Sequence, residues 1–565
     1  MAAALGGTLY ALWLYGLGVV DPTSVRWLLH GDPAQHFVGL SFFLSESWHW
    51  PPGAILRFGD DPTSVVFTDS IPLLALIAKA GGLPPGAQYF GLWIVACHAL
   101  VAGFGALLLR RLGASAAAAF VGAMFFASAP VVLLRAYGHE ALMGQFFVVA
   151  ALAAAFGRWK TLAWAALLTG SVLVHPYLAA MVFAIAVAAA AASLQQGTPG
   201  APVLLRSTPV LLGVPLLAAW LAGYFVGSAD RSAAGHGFFS ANALTWFDPM
   251  DWQAFLLYHG RDSAGAGEWS ALLPPLQQAT AGQYEGFAYL GAGVLALVVA
   301  AVLSHLFGMA ASTSSGSRAT GTNGSRAQWA WILVACVAMA LLALSARPSI
   351  GSHILFEVPL DEAVQHLLGI FRASGRFVWP LTWLLIAWAI ARVARSPGAP
   401  VWLAAALLLQ IVDLAPKHGE LRERFRAGPP DAQALPDWHA WAKALNECPR
   451  LEWLEDAAHG AEWITPAFAA ARWNAQLVDA PTARRSAAAA KRHADAIEAL
   501  REGKGWRDDT LYVGSRTPPT IAASGAAAAS PDFSGVPPGF AAASIDGYRV
   551  LAAPRCLRDN AFAGR

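Results

Sequence analysis

Long apolar runs separated by short polar connections dominate the chain. Segments of about spanning length occur near 5–20, 86–109, 115–134, 141–157, 161–175, 177–193, 203–225, 286–308, 329–345, 376–392 and 400–415. They predict a polytopic α-helical membrane protein with about eleven transmembrane helices. Residues 71–80 are apolar but too short, and Pro72 and Gly81-Gly82 flank them, which suits a re-entrant or interfacial helix. His175-Pro176 favours two short spans over 161–193 rather than one long tilted helix. The first run resembles a secretory signal peptide, but it lacks a basic start and many spans follow. It reads as a retained first helix.

After about residue 416 the pattern turns polar, with dense charge from Lys417 to Arg424. Helix-like runs near 437–447 and 484–502 precede strand-like runs at 510–513 and 548–551. The expected organisation is a transmembrane domain over 1–415, carrying large loops at 21–85 and 226–285, and a small α/β domain over 416–565. Ala311 to Gln328, rich in Ser, Gly and Thr, reads as a flexible linker, and 516–545 as a long loop within the tail. No internal repeat is evident.

Only 13% of residues are charged, against roughly 25% in soluble domains, so composition supports the membrane assignment. The net charge of +2 says nothing about nucleic acid, but no basic, aromatic-interleaved patch is present, so no nucleic-acid partner is expected. Placing the N-terminus in the cytoplasm makes 110–114, 158–160, 194–202, 309–328 and 393–399 the inner connections. These hold Arg110, Arg111, Arg158, Lys160, Arg318, Arg326 and Arg395 and no Asp or Glu. The positive-inside rule then puts loops 21–85 and 226–285 and the tail on the periplasmic face of an inner membrane. Cys97 and Cys336 lie in apolar runs and read as core residues. Cys448 and Cys556, in the tail, pair if that compartment is oxidising.

Candidate chemistry gathers at the outer ends of spans, where ionisable groups are functional candidates by default. His30-Gly31-Asp32-Pro33-Ala34-Gln35-His36 follows the first run, and Asp32 is the candidate general base. Its bland alternative is a helix cap at Pro33. Asp69 serves equally well as an N-cap before Pro72. Arg135, His139 and Glu140 fall in a six-residue outer turn, as functional groups or as snorkelling anchors. His175 sits at another outer turn, where a lone histidine more often satisfies hydrogen bonds than reacts. Arg372 and Arg376 are spaced i, i+4, share a face if helical, and suit phosphate recognition. GxxxxGK[ST], HExxH and GxSxG are all absent, which argues against an internal ATPase, a zincin and an α/β-hydrolase.

A short first helix, an acidic residue opening a long first outer loop, many spans and an outward C-terminal domain resemble the C-type glycosyltransferase superfamily. Gly31-Asp32-Pro33-x-x-His36, Gly138-His139-Glu140 and Phe371-Arg372-Ala373-Ser374-Gly375-Arg376 look still more like an uncharacterised bacterial family of polytopic membrane proteins placed near it. The resemblance implies a polyprenyl-phosphate-linked sugar as donor and an envelope glycan, lipid or protein as acceptor. It casts Asp32 as base or acceptor-positioning group, and Glu140, with Asp69 behind it, as second acidic residue. The acidic pairs of the superfamily motif are not reproduced, because residue 33 is proline. His36, Arg135, His139, His175, Arg372 and Arg376 complete the candidate substrate-binding set. A divalent cation fits only if Asp32 and Glu140 converge, and hard cations want more oxygen ligands than these two supply. Rival readings are a lipid or glycan flippase, expected to carry charges near the bilayer midplane and repeated halves, and a non-catalytic envelope scaffold.

Overall fold

All eleven apolar segments are helical over most of their length in the computed structural model of the chain. The structure describes every residue except 199, 228–234, 260, 262, 264–265, 313–322, 430–433, 455–461, 481, 483–486, 517–535 and 558–565. Most of the expected linker 311–328 and loop 516–545 therefore lies outside the described residues. Among the described residues, six helices are long and apolar enough to cross a bilayer: Phe90–Arg111, Ala116–Tyr137, Pro176–Gln196, Ala201–Ala222, Arg326–Leu344 and Ser374–Val393. A seventh is added if Ala399–Asp413 and Ala415–Ala427, bent by 60°, form one broken span. The remaining apolar helices are shorter. Ala2–Tyr15, with 14 residues, rises about 21 Å against a hydrocarbon core of roughly 30 Å. The chain is a multi-pass membrane protein.

Contacts divide the described chain into two compact units. The first comprises Met1–Asp21, Phe90–Ala218 and Arg231–Ala427; the second comprises Pro22–Tyr89, Ala219–Asp230 and Gly428–Arg565.

Small residues let the helices of the first unit approach closely, as expected where apolar burial against lipid gives little drive. A Cβ on Gly7 would lie 2.3 Å from the His98 carbonyl oxygen, and one on Gly122 would lie 2.7 Å from Ile390. Sparse buried polar groups fix register. The indole of Trp383 stacks on Phe126 at 5.4 Å and donates to Gln145 Oε1 at 3.0 Å. Trp164, Trp252, Trp269 and Trp379 are likewise fully buried, so many indoles serve the core rather than an interfacial belt. Asp413 accepts from Tyr289 Oη at 2.8 Å, from the Ala292 amide at 2.9 Å and from Ser270 Oγ, tying loop 270 to two helix ends. Basic connections meet at one end of this unit. Arg395 donates to the Leu112 carbonyl at 3.5 Å, Arg392 to that of Ser304 at 3.0 Å, and Arg111 to that of Ala153.

The second unit joins the first large loop to the tail. A mixed five-stranded sheet runs in the order Gln476–Val478, Arg450–Trp453, Thr510–Arg516, Tyr548–Ala552, Ala541–Ile545. The expected tail helices appear as Trp438–Glu447 and Ala487–Arg501. Cys448 and Cys556 form a disulfide with Cα atoms 5.6 Å apart. Residues 57–59 lie along the edge strand: Leu477 N donates to Arg57 O at 2.9 Å and Gly59 N to Leu477 O at 2.9 Å. Arg450 pairs with Asp60 at 3.1 Å and Arg492 with Asp61 at 2.6 Å. Helix Gly31–Ser45 packs on Ile464–Arg472 through Phe37 and Phe468, whose ring centroids are 4.9 Å apart. The expected interfacial helix is present as Pro72–Ala80.

Glu452 lies buried on a strand with parallel neighbours on both sides. Burial pushes its carboxyl up to about 7, against the opposing pull of Arg450. Because the folded value exceeds the ordinary 4.5, the stabilisation is complete below that pH and is lost as pH rises through about 7. The second unit should lose on the order of 3 kcal/mol between about pH 4.5 and 7. Thermal melts across that window should show the decline in the native protein and a flattened profile in Glu452→Gln.

Candidate functional site

Three tight turns of the first unit converge on one carboxylate. The first is a single 3-10 turn, Leu134–Tyr137, which carries Arg135 at the close of an apolar helix. A second, Ala281–Gly286, carries Glu285 just before the helix that starts at Ala292. The third, Ser374–Val378, carries Arg376 and leads into Trp379–Val393, where a proline in the first turn suits a helix start. Arg376 grips Glu285 with two bonds, Nε to Oε2 at 2.9 Å and Nη2 to Oε1 at 2.5 Å. Arg135 Nη1 approaches Oε2 at 2.9 Å, and its Nη2 donates to the Glu285 carbonyl at 3.2 Å. All three side chains are at most 7% exposed.

Burial alone would raise the Glu285 carboxyl; the Arg376 and Arg135 guanidiniums outweigh it and hold the group well below the carboxylate range. Two guanidiniums on one carboxylate leave the cluster with one net positive charge. Aromatic faces enclose it: Arg376 lies 4.7 Å from the Tyr177 ring centroid and Arg135 lies 5.1 Å from that of Trp379. Arg135 Nε and Ser374 Oγ are buried with no hydrogen-bond partner among the described residues.

Glycines make the convergence possible. A Cβ on Gly375 would lie 2.7 Å from Gly286 N and 2.8 Å from the Ser240 carbonyl carbon, so two backbones cross in contact beside Glu285. The Gly375 amide donates to Phe239 O at 3.0 Å, and the Ala373 amide to Tyr177 Oη at 2.8 Å.

The expected shared helix face of Arg372 and Arg376 does not form, because a non-helical stretch and a 3-10 turn separate Glu362–Gly369 from Trp379–Val393. Arg376 is buried, while Arg372 is exposed with its guanidinium 5.4 Å from the Phe239 ring centroid. Arg135 is buried at 2% exposure and is not a snorkelling anchor. His139 adopts a left-handed φ of 62°, and Glu140 behind it is fully buried, its carbonyl accepting from the Trp93 indole at 2.7 Å. His175 caps helix Pro176–Gln196, its Nδ1 accepting from the Tyr177 amide at 3.2 Å.

In the second unit, His30 is the N-cap of Gly31–Ser45, so Asp32 stands exposed within the first turn. There a carboxylate is favoured by the amide dipoles. His36 and Asp69 form a pair at 3.8 Å, and Ser70 Oγ donates to the His36 carbonyl at 3.0 Å. Asp69 is not the cap of Pro72–Ala80. That position belongs to Ile71, while Asp69 holds a left-handed φ of 53°. Glu46 is structural, accepting from the amides of Leu56 at 2.9 Å and Arg57 at 2.8 Å. Asp32 and Glu140 belong to different units. Glu285 was missed as a site residue, since its partners lie 91 and 150 residues away. The available signal was a carboxylate in Tyr284-Glu285-Gly286-Phe287, directly before an apolar run.

A family model described as a domain of unknown function, DUF6311, matches residues 3–415. A search of curated proteins gives no match. Among solved structures, the apo crystal structure of the Archaeoglobus fulgidus oligosaccharyltransferase is similar at a TM-score of 0.40 and 12% identity, over 91% of this chain and 69% of that one.

Proposed function

The chain belongs to the DUF6311 family, a domain of unknown function, and we propose that it is an inner-membrane glycosyltransferase. It moves a sugar from a polyprenyl-phosphate donor to a cell-envelope acceptor at the periplasmic face. The observation that carries this reading is the cationic cluster of Arg135 and Arg376 on Glu285, set where apolar helices end. Glu285 holds both guanidiniums in fixed orientation without cancelling their charge. A preorganised cation of this kind is what a departing phosphate needs. Arg372, exposed over Phe239, adds a third guanidinium near the cluster, and the Phe239 carbonyl accepts from the Gly375 amide. An apolar crevice of about 170 Å³ bounded by Leu342, Leu367, Phe371 and Phe377 suits an isoprenoid chain. The end-to-end separation of basic connections from this cluster favours an outward-facing site under the positive-inside rule.

In the reaction, an acceptor hydroxyl attacks the anomeric carbon and the bond from that carbon to the phosphate oxygen breaks. The lipid phosphate leaves onto the arginines, and the hydroxyl proton passes to a general base. The superfamily resemblance casts Asp32, in the first turn of helix Gly31–Ser45, as that base. Asp32→Asn should lower transfer about 10²- to 10⁴-fold with unchanged membrane insertion. The assay is product formation by mass spectrometry, with purified protein in detergent and a polyprenyl-phosphate sugar as donor. Full activity in Asp32→Asn would remove the catalytic assignment. Lipid translocation in vesicles without any product in detergent would favour a flippase.

A further inference from the structure

We propose that the loop before Glu285 holds a subsite for an uncharged saccharide chain, that of the acceptor; this rests on the transferase reading above. A cavity of about 330 Å³ opens there, near the lower end of the ~300–1,000 Å³ typical of ligand sites. Phe255, Tyr258 and Tyr284 line it, with Asp251, Gln277 and Gln278 among the other lining residues. Tyr284 immediately precedes Glu285, so the cavity lining is one peptide bond from the ionic cluster.

The aromatic lining is braced. Phe255 stacks on buried Trp252 at 4.7 Å, and the Trp252 indole donates to Glu420 at 3.0 Å. Tyr284 packs edge-on to Phe255 at 5.0 Å and to His259 at 5.2 Å. Tyr258 is 55% exposed. Among the polar lining residues, Gln278 Nε2 is oriented by Asp248 Oδ2 at 3.1 Å, and Asp251 Oδ1 caps the helix Trp252–Tyr258 through the Ala254 amide at 2.8 Å.

This combination of lining residues selects among ligands. A pyranose presents an apolar C–H face suited to a ring and a rim of hydroxyls suited to amides and a carboxylate. A hydrocarbon has no use for the polar residues. A phosphorylated or acidic ligand would want cations, yet no Lys or Arg is among the twelve lining residues, and Asp251 is. An extended peptide would want a free strand edge, and no strand is among the elements that supply the lining residues. The charged part of the donor belongs with the arginines and the neutral glycan belongs here.

The test uses the full-length protein in a detergent without a sugar headgroup. Soluble maltotriose, cellotriose, mannotriose and chitotriose are titrated and followed by saturation-transfer NMR and intrinsic fluorescence. At least one trisaccharide should bind with a Kd of about 1 mM or below. Phe255→Ala and Tyr258→Ala should each weaken it at least about tenfold. Tyr258 is exposed, so its variant keeps the test sound if Phe255→Ala fails to fold. No binding by the native protein at about 10 mM, unchanged affinity in Tyr258→Ala, or preference for an unglycosylated peptide would each overturn the subsite. Saccharide binding without transfer would count against the transferase reading alone. Transfer with an unaltered acceptor KM in Tyr258→Ala would count against this subsite alone.

Discussion

Glu285→Ala should destabilise the protein by about 3–5 kcal/mol, the cost of leaving buried charge without its partner. Arg135 and Arg376 are at most 7% exposed, and Glu285 is the carboxylate both of them bind. Removing it leaves two buried like charges facing each other. The effect should appear as a large fall in apparent melting temperature, read by tryptophan fluorescence in detergent. Replacing the whole triad (Arg135→Met, Glu285→Leu, Arg376→Met) should recover much of that loss, because apolar groups of similar volume carry no desolvation cost. The recovered variant should not transfer sugar. A Glu285→Ala protein melting within about 0.5 kcal/mol of the native one would show that the ion pairs are not buried as described.

Gly375→Ala is the second large effect. The added methyl would meet Gly286 N at 2.7 Å, Gly286 Cα at 2.8 Å and the Ser240 carbonyl carbon at 2.8 Å, all backbone atoms. Backbone cannot rotate aside as a side chain does, so the cost should reach or exceed the roughly 1–3 kcal/mol of ordinary overpacking. Separating the 281–286 and 374–378 turns also pulls Arg376 from Glu285, so transfer should fall along with stability. Gly213→Ala is the control. It lies in helix Ala201–Ala222 with nothing within 4 Å of its Cβ position and should be near neutral. Equal melting of the two variants would contradict the close crossing.

Sequence periodicity carried the helices because it is a local signal. Each apolar run became a helix, and Pro176 and the Gly81-Gly82 pair punctuated the chain where expected. Length decided what periodicity could not: several of those helices are too short to span unaided. The site was legible only in part. Arg135 and Arg376 stood out as cations at the ends of apolar runs. Their meeting on Glu285 depends on three turns distant in sequence, and nothing local to Glu285 announces it. The shared face of Arg372 and Arg376 was conditional on a helix, and a 3-10 turn over Ser374–Val378 stands there instead. His175 was read as a hydrogen-bonding group, and its ring caps a helix. The joining of residues 22–89 to the tail had no sequence signal, since its main-chain bonds, ion pairs and helix packing all link segments about 400 residues apart.

That joining sets an order of events for the newborn chain. Arg57 binds the carbonyl of Asn474 at a sequence separation of 417, so the early loop emerges long before the segment that completes it. Until Leu477 is made, the Arg57 carbonyl and the Gly59 amide lack the partners that they have in the folded chain. A chain that ends after the last apolar helix therefore lacks the strand along which residues 57–59 lie, and its second unit stays incomplete.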